Sequence, residues 1–211
     1  MTDPLDTTSD RRPGGRTARI RAQVLDAVRA ELAEVGHQGL TMEGVATRAG
    51  VHRATVYRRW HDVGGLLVDV IDAAGEMDWQ PPDTGSLRGD LTALNEEIQE
   101  SLVVQPSFAL ALMAASFHFE QAARAQTRLW TDRYDQCEIL VERAIERGEL
   151  PAQHIDARSL LIAATAPLYH QLVLLRTDPD PQLPQRAAEM AVLAAAAGAF
   201  SASREERQES E

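Results

Sequence analysis

The chain has 211 residues, of which 44% are hydrophobic and 25% are charged, and these proportions are typical of a folded globular protein. Its single cysteine, Cys137, excludes an internal disulfide framework, and no run approaches the ~18 consecutive apolar residues of a membrane span. The formal net charge is -11, and the N-terminus lacks the apolar core of a signal peptide, so we expect a cytoplasmic protein.

The charge is unevenly distributed along the chain. Residues 1–61 carry 10 arginines against 7 acidic residues, which gives +3, whereas residues 62–211 carry 11 against 25, which gives -14. No lysine is present, so every permanent cation is an arginine. The twelve residues AGVHRATVYRRW, at 49–60, contain three arginines and no acid. A basic segment in an acidic chain indicates a local surface for nucleic acid.

Apolar spacing and turn residues predict an all-α protein. Residues 1–14 are polar and are expected to be disordered, and RRPGGRTAR, at 11–19, is expected to form a flexible basic arm that can reach DNA. The predicted helices cover about 16–35, 41–49, 53–60, 62–77, 87–102, 106–119, 122–147, 156–176 and 184–200. The turn residues of WQPPDTGS, at 79–86, separate two halves. We therefore divide the chain into an arm (1–14), a DNA-binding head (15–75), a body (76–202) and a frayed tail (203–211).

Residues 41–60, TMEGVATRAGVHRATVYRRW, predict two short helices joined by a turn, which is the helix-turn-helix arrangement. The apolar side chains predicted to face inward are Val45, Ala46, Ala49, Val51, Val56 and Trp60. Donors and cations are left outside: Thr41, Arg48, His52, Arg53, Thr55, Tyr57, Arg58 and Arg59. The lack of acid at 49–60 follows, because phosphate repels carboxylate and many protein–DNA hydrogen bonds go to the backbone.

These residues carry a resemblance to a known family. The stretch from Arg16 to Val70 resembles the N-terminal domain of the tetracycline-repressor-like (TetR) family. The matching pieces are Gly39-Leu40-Thr41-Met42-Glu43, Val45-Ala46-x-Arg48-Ala49-Gly50-Val51, Ala54-Thr55-Val56-Tyr57 and Trp60. The segments PDTGSLRGDL, ERAIERGEL and APLYHQLVLL also resemble C-terminal domains of these regulators. The resemblance implies a three-helix head joined through a fourth helix to a ligand-binding and dimerisation body, with about nine helices in all.

The resemblance also implies roles for the residues of the head. Thr41 caps the second helix and bonds a phosphate, and His52 occupies the cap position of the third. Arg53, Ala54 and Thr55 are expected to lie against base edges, and Tyr57 and Arg58 are expected to contact phosphates. Arg48 and Arg59 are either DNA contacts or part of a solvated helix face.

Three departures from the family pattern weaken individual expectations. Val63 stands where the family usually has a lysine, so one phosphate contact is missing. Gly44 inside the second helix costs roughly 1 kcal/mol relative to alanine. The sequence Val63-Gly64-Gly65 predicts a loose start to helix four and a mobile hinge.

The last two helices are expected to form a homodimer interface. Alanine occupies 8 of the 13 positions from 187 to 199, and small side chains let helices approach closely. The preceding helix contributes Leu160, Leu161, Leu168, Leu172 and Leu175. The alternative is that the alanine-rich helix only closes the core of one protomer.

The middle helices are expected, from the resemblance, to enclose a mainly apolar ligand cavity. The candidates by residue type and place are Phe108, Met113, Phe117, His118, Trp130, Tyr134 and Tyr169. Pro167, inside a helix, is expected to force a kink that opens space beside Tyr169 and His170. We predict His118 or Tyr169 as the polar anchor. For any one of these side chains, a plain core role is the alternative.

Nothing in the sequence predicts catalysis, a cofactor or a metal. The six histidines (37, 52, 61, 118, 154 and 170) lack metal-ligand spacing, and neither a Gly-rich phosphate loop nor a nucleophile motif occurs. We expect a transcriptional regulator, most simply a repressor, that binds a palindromic DNA operator as a homodimer and is released by a small apolar or amphipathic effector. The alternative is an acidic helical adaptor whose head no longer binds DNA, and Val63 is the feature that favours it.

Overall fold

The computed structural model describes residues 13–151 and 155–201, and within them the chain is all-α, as predicted. The only strand-like feature in these ranges is an isolated antiparallel bridge between Ile155 and Ser201. The helices are α1 (Pro13–Gly39), α2 (Met42–Ala49), α3 (Arg53–Trp60), α4 (Val63–Gly75), α5 (Leu87–Val103), α6 (Phe108–Ser116), α7 (Glu120–Glu146), α8 (Ala157–Tyr169), a π-helical segment (His170–Leu175) and α9 (Leu183–Ala196).

Helix α1 differs from the prediction at its start. It begins at Pro13, so the part of the expected arm from Pro13 to Arg19 is helical; proline is well tolerated in a first helical turn, where its missing N–H has no partner to lose. The rest of the arm and the tail at 203–211 lie outside the described residues. The regular helix ends at Gly36, where φ is 69°, as the sequence predicts.

Each short helix of the head begins at a side-chain cap. Thr41 Oγ1 accepts a hydrogen bond from the Gly44 N–H at 3.0 Å, and His52 Nδ1 accepts one from the Ala54 N–H at 3.2 Å. Between α2 and α3, Gly50 takes a left-handed φ of 63°, which only glycine adopts at little cost. Helices of eight residues are marginal alone, so these caps and the packing around them fix α2 and α3.

The start of α4 is tightly packed, which corrects the expectation of a loose hinge. A Cβ on Gly65 would lie 2.1 Å from the backbone carbonyl oxygen of Trp60, so the close approach of the chain requires glycine there. The Gly65 N–H also donates to Asp62 Oδ1 at 2.8 Å, so Asp62 caps α4. Gly64 is buried. The two glycines therefore serve close packing.

The hydrophobic core of the head continues into the body. Fully buried side chains of α4, such as Leu66, Leu67 and Val70, belong to one cluster with Leu112 of α6 and Ala122 of α7. A second cluster joins α5, α7, α8 and α9. Because α4 belongs to the head by sequence but packs along α7, it is one element through which the two halves touch, and α1, which packs against α6, is another.

The α8 segment changes helical type near its proline. The predicted helix over 156–176 is α-helical up to Tyr169 and π-helical from His170 to Leu175, and the change follows Pro167 by three residues. Proline has no N–H for the helical ladder, and π-helical turns often occur where a helix is disrupted. The helical type therefore changes within one turn of Pro167, and the kink expected there stays a prediction.

No single described helix is long and apolar enough to cross a membrane. Helices α5 and α6 pass that test as a pair by length and composition alone, with a bend of 81° between them. Several of their side chains, including Leu91, Leu102 and Leu112, are buried in the cores described above. Buried helices of ordinary cores pass the same test.

Candidate nucleic-acid interface and effector cavity

The head presents a basic surface on α3. Val56 and Trp60 face the core, whereas His52, Arg53, Ala54, Arg58 and Arg59 are exposed, and Thr55 and Tyr57 are half-buried. Thr41 is exposed at the start of α2. The residues predicted to contact DNA are thus brought together on the exposed side of two crossed helices.

Arg48, which was also predicted to contact DNA, is held within the head. Its Nε donates to Glu31 Oε1 at 2.6 Å, and its other nitrogens contact Glu34. The hydrogen bonds that Arg48 donates to Glu34 and Glu31 raise its pKa above the ordinary value. Because two acids of α1 neutralise this cation locally, Arg53, Arg58 and Arg59 remain as the arginines of the surface.

Glu43 contacts two of the predicted DNA-binding side chains, a feature that the sequence reasoning missed. Its Oε1 accepts a hydrogen bond from the Tyr57 hydroxyl at 2.8 Å and pairs with Arg53 Nη2 at 2.5 Å. The hydrogen bond from Tyr57 is the largest cause that lowers the pKa of Glu43. It is the only acid between residues 35 and 61. The signal was present in the sequence as a lone carboxylate in a basic segment.

Asp69 joins three helices of the head, and this role was also missed. On α4, its Oδ1 accepts from Arg21 Nε of α1 at 2.8 Å, and its Oδ2 accepts from Trp60 Nε1 of α3 at 2.7 Å. Partial burial acts to raise the pKa of Asp69, but the hydrogen bonds from Arg21 and Trp60 prevail and hold that pKa below its usual value. Asp69 therefore fixes the recognition helix on α4.

A cavity of about 300 Å³ lies between the end of α4 and helices α5 to α8. Four of the predicted ligand-binding residues line it: Met113, Trp130, Tyr134 and Tyr169. The rings of Trp130 and Tyr169 meet edge to face with centroids 5.6 Å apart. These four side chains also line a second, outer cavity of about 360 Å³, so the two spaces adjoin.

The other three predicted cavity residues lie elsewhere. Phe108 packs against the core of the head. Phe117, which follows the end of α6, is 84% exposed; it lines the outer cavity but not the inner one. His118 stacks on His37 of α1, with ring centroids 4.4 Å apart, and so bridges head and body.

Several polar groups of the cavity were not predicted, among them Arg133 and Cys137. Arg133 lies with its guanidinium 4.4 Å from the centroid of the Trp79 ring, and burial lowers its pKa. Cys137, one helical turn further along α7, is buried, and burial raises the pKa of its thiol to about 11. Burial likewise raises the pKa of the Tyr169 hydroxyl. At neutral pH the thiol and the phenol are therefore uncharged.

Four of the five leucines expected at a dimer interface are buried in the protomer, whereas Leu175 is 57% exposed. Leu160, Leu161 and Leu168 are fully buried, and the alanines of α9 at 187, 188, 191 and 195 pack inward beside α5 and α8. The exposed faces of the last helices instead carry Ile162 on α8, which is 43% exposed, and Met190 and Leu193 on α9, which are 56% and 60% exposed. Helical periodicity alone could not decide which apolar stripe faces the protomer's own core.

The described residues contain no group of three or more His, Cys, Asp or Glu side chains arranged to hold a metal ion.

Both halves of the chain match known sequences. Residues 24–70 match the family model "Bacterial regulatory proteins, tetR family", and residues 81–191 match "Tetracyclin repressor-like, C-terminal domain". The chain is 30% identical over 193 residues to the HTH-type transcriptional regulator AqdR of Rhodococcus erythropolis, covering 90% of this chain and 91% of that protein. It is 29% identical over 142 residues to the DNA-binding transcriptional repressor TetR of Mycobacteroides abscessus, covering 66% and 74%.

Solved structures share the fold. A putative transcriptional regulator from Pseudomonas aeruginosa PAO1 superposes with a TM-score of 0.64 at 21% identity, over 90% of this chain and 94% of that one. MexZ, a key repressor responsible for antibiotic resistance in Pseudomonas aeruginosa, superposes with a TM-score of 0.58 at 21% identity, over 89% and 97%. At these identities the likeness extends to the fold alone.

Proposed function

Because the chain belongs to the TetR family of transcriptional regulators, which are not enzymes, we propose that it is a cytoplasmic repressor that binds a palindromic operator as a homodimer and leaves it when a small effector binds. The observation that carries this proposal is the surface of α3, where three exposed arginines stand on a capped helix that contains no acid. Such a helix fits the major groove of B-form DNA.

In the proposed complex, the start of α3 lies against base edges and its flanks lie against phosphates. Arg53 has the planar pair of donors that matches a guanine, and Ala54 and Thr55 offer methyl groups to thymine. Tyr57 and Arg58 meet phosphates, together with the exposed hydroxyl side of Thr41. Arg48 is omitted from this surface because Glu31 and Glu34 occupy it.

Dimerisation is proposed through the exposed apolar faces of α8 and α9. Ile162 of α8 and Met190 and Leu193 of α9 are exposed apolar side chains that a second copy would bury, and small exposed residues such as Ala163 and Ala197 allow close helix contact. A two-fold dimer fixes the distance between two α3 helices, and that distance selects operators with the matching half-site spacing.

Effector control is proposed to act through α4. The cavity lies against the end of α4, and Asp69 of the same helix holds Trp60 of α3. An effector that fits the cavity better when the two heads are splayed shifts the population away from the spacing that binds DNA. The coupling free energy between effector and operator is set by the difference in effector affinity between those two states.

The test is a fluorescence-anisotropy titration against DNA from upstream of the protein's own gene, beside a scrambled duplex, at several salt concentrations. We expect sequence-dependent binding that weakens steeply with salt. Arg58→Ala should weaken binding to both duplexes by about three- to tenfold and lower the salt dependence by about one phosphate contact. Arg124→Ala removes the same charge from an exposed, ion-paired site on α7 and should change neither quantity.

Equal and weak binding to both duplexes, with Arg58→Ala indistinguishable from the original chain, would contradict the repressor. That result would favour the adaptor.

A further inference from the structure

We propose that the cavity takes an acidic amphipathic effector, whose anionic group binds Arg133 and whose apolar or aromatic part lies against Trp130, and that Arg133 carries the effect of binding to α4. This inference rests on the effector-controlled function proposed above. It adds the chemical class of the effector and the contact through which binding reaches the head.

The walls of the cavity set the size and polarity of the effector. Leu94, Ile98 and Met113 supply aliphatic and thioether surface, and Trp130 and Tyr169 supply ring faces and edges. A volume of about 300 Å³ is at the lower end of ligand cavities, which suits a molecule of roughly two fused rings or a medium-length chain. An apolar body of that size is therefore the first requirement.

Arg133 supplies the specific polar group. It stands on the same face of α7 as Trp130, Tyr134 and Cys137. Counted from Trp130 as position i, Arg133 is i+3, Tyr134 is i+4 and Cys137 is i+7. Its nitrogens donate to the Ala74 carbonyl oxygen and to Gln136 Oε1, both at the long distance of 3.3 Å. In the described parts of the chain it forms no ion pair, unlike Arg128 and Arg143 of the same helix.

A guanidinium has five N–H donors, and Arg133 uses two of them in weak bonds to neutral oxygens. Removing it partly from water without a counter-charge is costly, and a bidentate carboxylate or similar anion repays that cost. The unpaired charge therefore selects an anion.

Glu97 is the carboxylate that could oppose this preference. It lines the cavity but is exposed, and its Oε2 accepts a hydrogen bond from Trp79 Nε1 at 2.9 Å, whereas the half-buried Arg133 lies over the Trp79 ring. Water screens an exposed carboxylate more than a half-buried guanidinium. The neutral thiol of Cys137 and the neutral phenol of Tyr169 add no negative charge, so Arg133 and Glu97 are the only charged side chains among the described residues that line the cavity.

The contact from Arg133 to Ala74 gives this site its link to the head. Ala74 lies in the last turn of α4, and the same helix holds Trp60 of α3 through Asp69. An anion that draws the guanidinium toward itself competes with the 3.3 Å bond to the Ala74 carbonyl. Loss of that bond frees the C-terminal turn of α4, so effector binding and the position of α3 are connected by a continuous set of contacts.

The experiment uses the full chain and three compounds of the same shape in isothermal titration calorimetry: naphthalene-2-carboxylate, naphthalene-2-carboxamide and 2-naphthylmethylammonium. We expect the carboxylate to bind about tenfold more tightly than the amide, and the ammonium to bind most weakly. Arg133→Gln should remove the preference by weakening the carboxylate about tenfold while leaving the amide unchanged. Arg133→Lys, which keeps the charge, should retain part of it.

Arg128→Gln is the matched control, because it removes the same charge from α7 at a residue that lies outside this cavity. It should leave all three affinities unchanged. Thermal melts of every variant verify that the chain is folded. Equal affinities for the carboxylate and the amide, or no binding of any compound up to about 1 mM, would overturn the acidic class.

Operator titrations on the same preparations separate this inference from the proposed function. Saturating the original chain with the carboxylate should lower its operator affinity. Saturating the Arg133→Gln variant with the amide should lower operator affinity much less, because the variant lacks the guanidinium that the anion draws away from Ala74. Carboxylate binding that leaves operator affinity unchanged would overturn the link through Ala74. Operator binding measured without any compound tests the DNA-binding function separately. If that binding is intact, the DNA-binding function stands whatever the outcome of the compound experiments.

Discussion

The head and the body place their functional side chains in opposite ways. In the head, the predicted DNA contacts stand on the exposed side of two eight-residue helices, each started by a cap and held from below. The cavity, in contrast, is lined by side chains from α4 and from four helices of the body, which are distant in sequence, from Ala74 to Tyr169. The head therefore acts through side chains that one short segment supplies, and the body through side chains that only the tertiary fold assembles.

This difference has a functional consequence. A surface on one segment keeps its chemistry whatever the rest of the chain does, but it reads only a few base pairs by itself. The body contributes what the segment lacks, namely a second copy and a response to a small molecule. Each half should therefore be separable by substitution, with the body controlling how well the head works.

The largest effect is expected from breaking the dimer face. Leu193→Glu places a charge on an apolar side chain that is 60% exposed in the protomer and faces away from its core. Burying that charge between two copies is unfavourable, so we expect a folded monomer and a loss of operator affinity of at least about 100-fold. Sedimentation velocity and the operator titration measure the two quantities.

Thr127→Glu is the control, since it adds the same charge to an exposed position of α7. It should change neither the sedimentation of the protein nor its operator affinity beyond about twofold. A dimeric Leu193→Glu protein with full operator affinity would show that α9 is not the interface.

Sequence reasoning went furthest in the head because its signals are local. Helix caps and tight turns depend only on neighbouring residues. The structure has caps at Thr41, His52 and Asp62 and a glycine turn at Gly50. It was incomplete where a partner is remote in sequence: Arg48 meets acids of α1, and Asp69 joins α1 to α3.

In the body, residue type and helical periodicity placed the helices but not the inward direction. Phe117 and Trp130 were equally good candidates by type, yet one ring is exposed and the other lines the cavity. The leucines of α8 and the alanines of α9 form a regular stripe, but that stripe packs within the protomer. Which face turns inward depends on the neighbouring helices, and no local pattern records them.

A smaller effect, confined to the head, is expected from Asp69→Asn. The substitution weakens charge-assisted hydrogen bonds from Arg21 and Trp60, so unfolding free energy should fall by about 1–3 kcal/mol. Because the pKa of Asp69 is lowered in the folded head, its contribution is present above the ordinary aspartate value of 3.8 and is lost as pH falls through the lowered value. Urea titrations at several pH values measure both effects.

Asp72→Asn is the matched control on the same helix, because Asp72 is exposed and makes one long contact, 3.4 Å to Arg128. Its effect should stay within about 1 kcal/mol. If the two variants lose equal stability, or if Asp69→Asn keeps the full acid dependence, Asp69 does not hold the recognition helix in the way that its geometry indicates.

The smallest effect is expected from Glu43→Gln, which tests whether the head's own acid competes with DNA. In the free protein one carboxylate oxygen holds both Arg53 and Tyr57, and a phosphate or a guanine must displace it to bind them. Removing the charge should therefore raise operator affinity by about three- to tenfold. The gain should shrink at high salt, because both the internal contact and the DNA contact are exposed.

General repulsion between acid and DNA predicts the same sign, and Arg53→Ala distinguishes the two causes. If Glu43 acts by occupying Arg53, then Glu43→Gln gains less affinity in the Arg53→Ala background than in the original chain, and the difference is the coupling between the two residues. Asp26→Asn, which neutralises an exposed acid of α1 that pairs only with Arg29 among the described residues, reports the general effect of charge. Equal gains in operator affinity from Glu43→Gln in both backgrounds would show that Glu43 acts only by general charge repulsion. Arg53 would then bind DNA without first having to break its contact with Glu43.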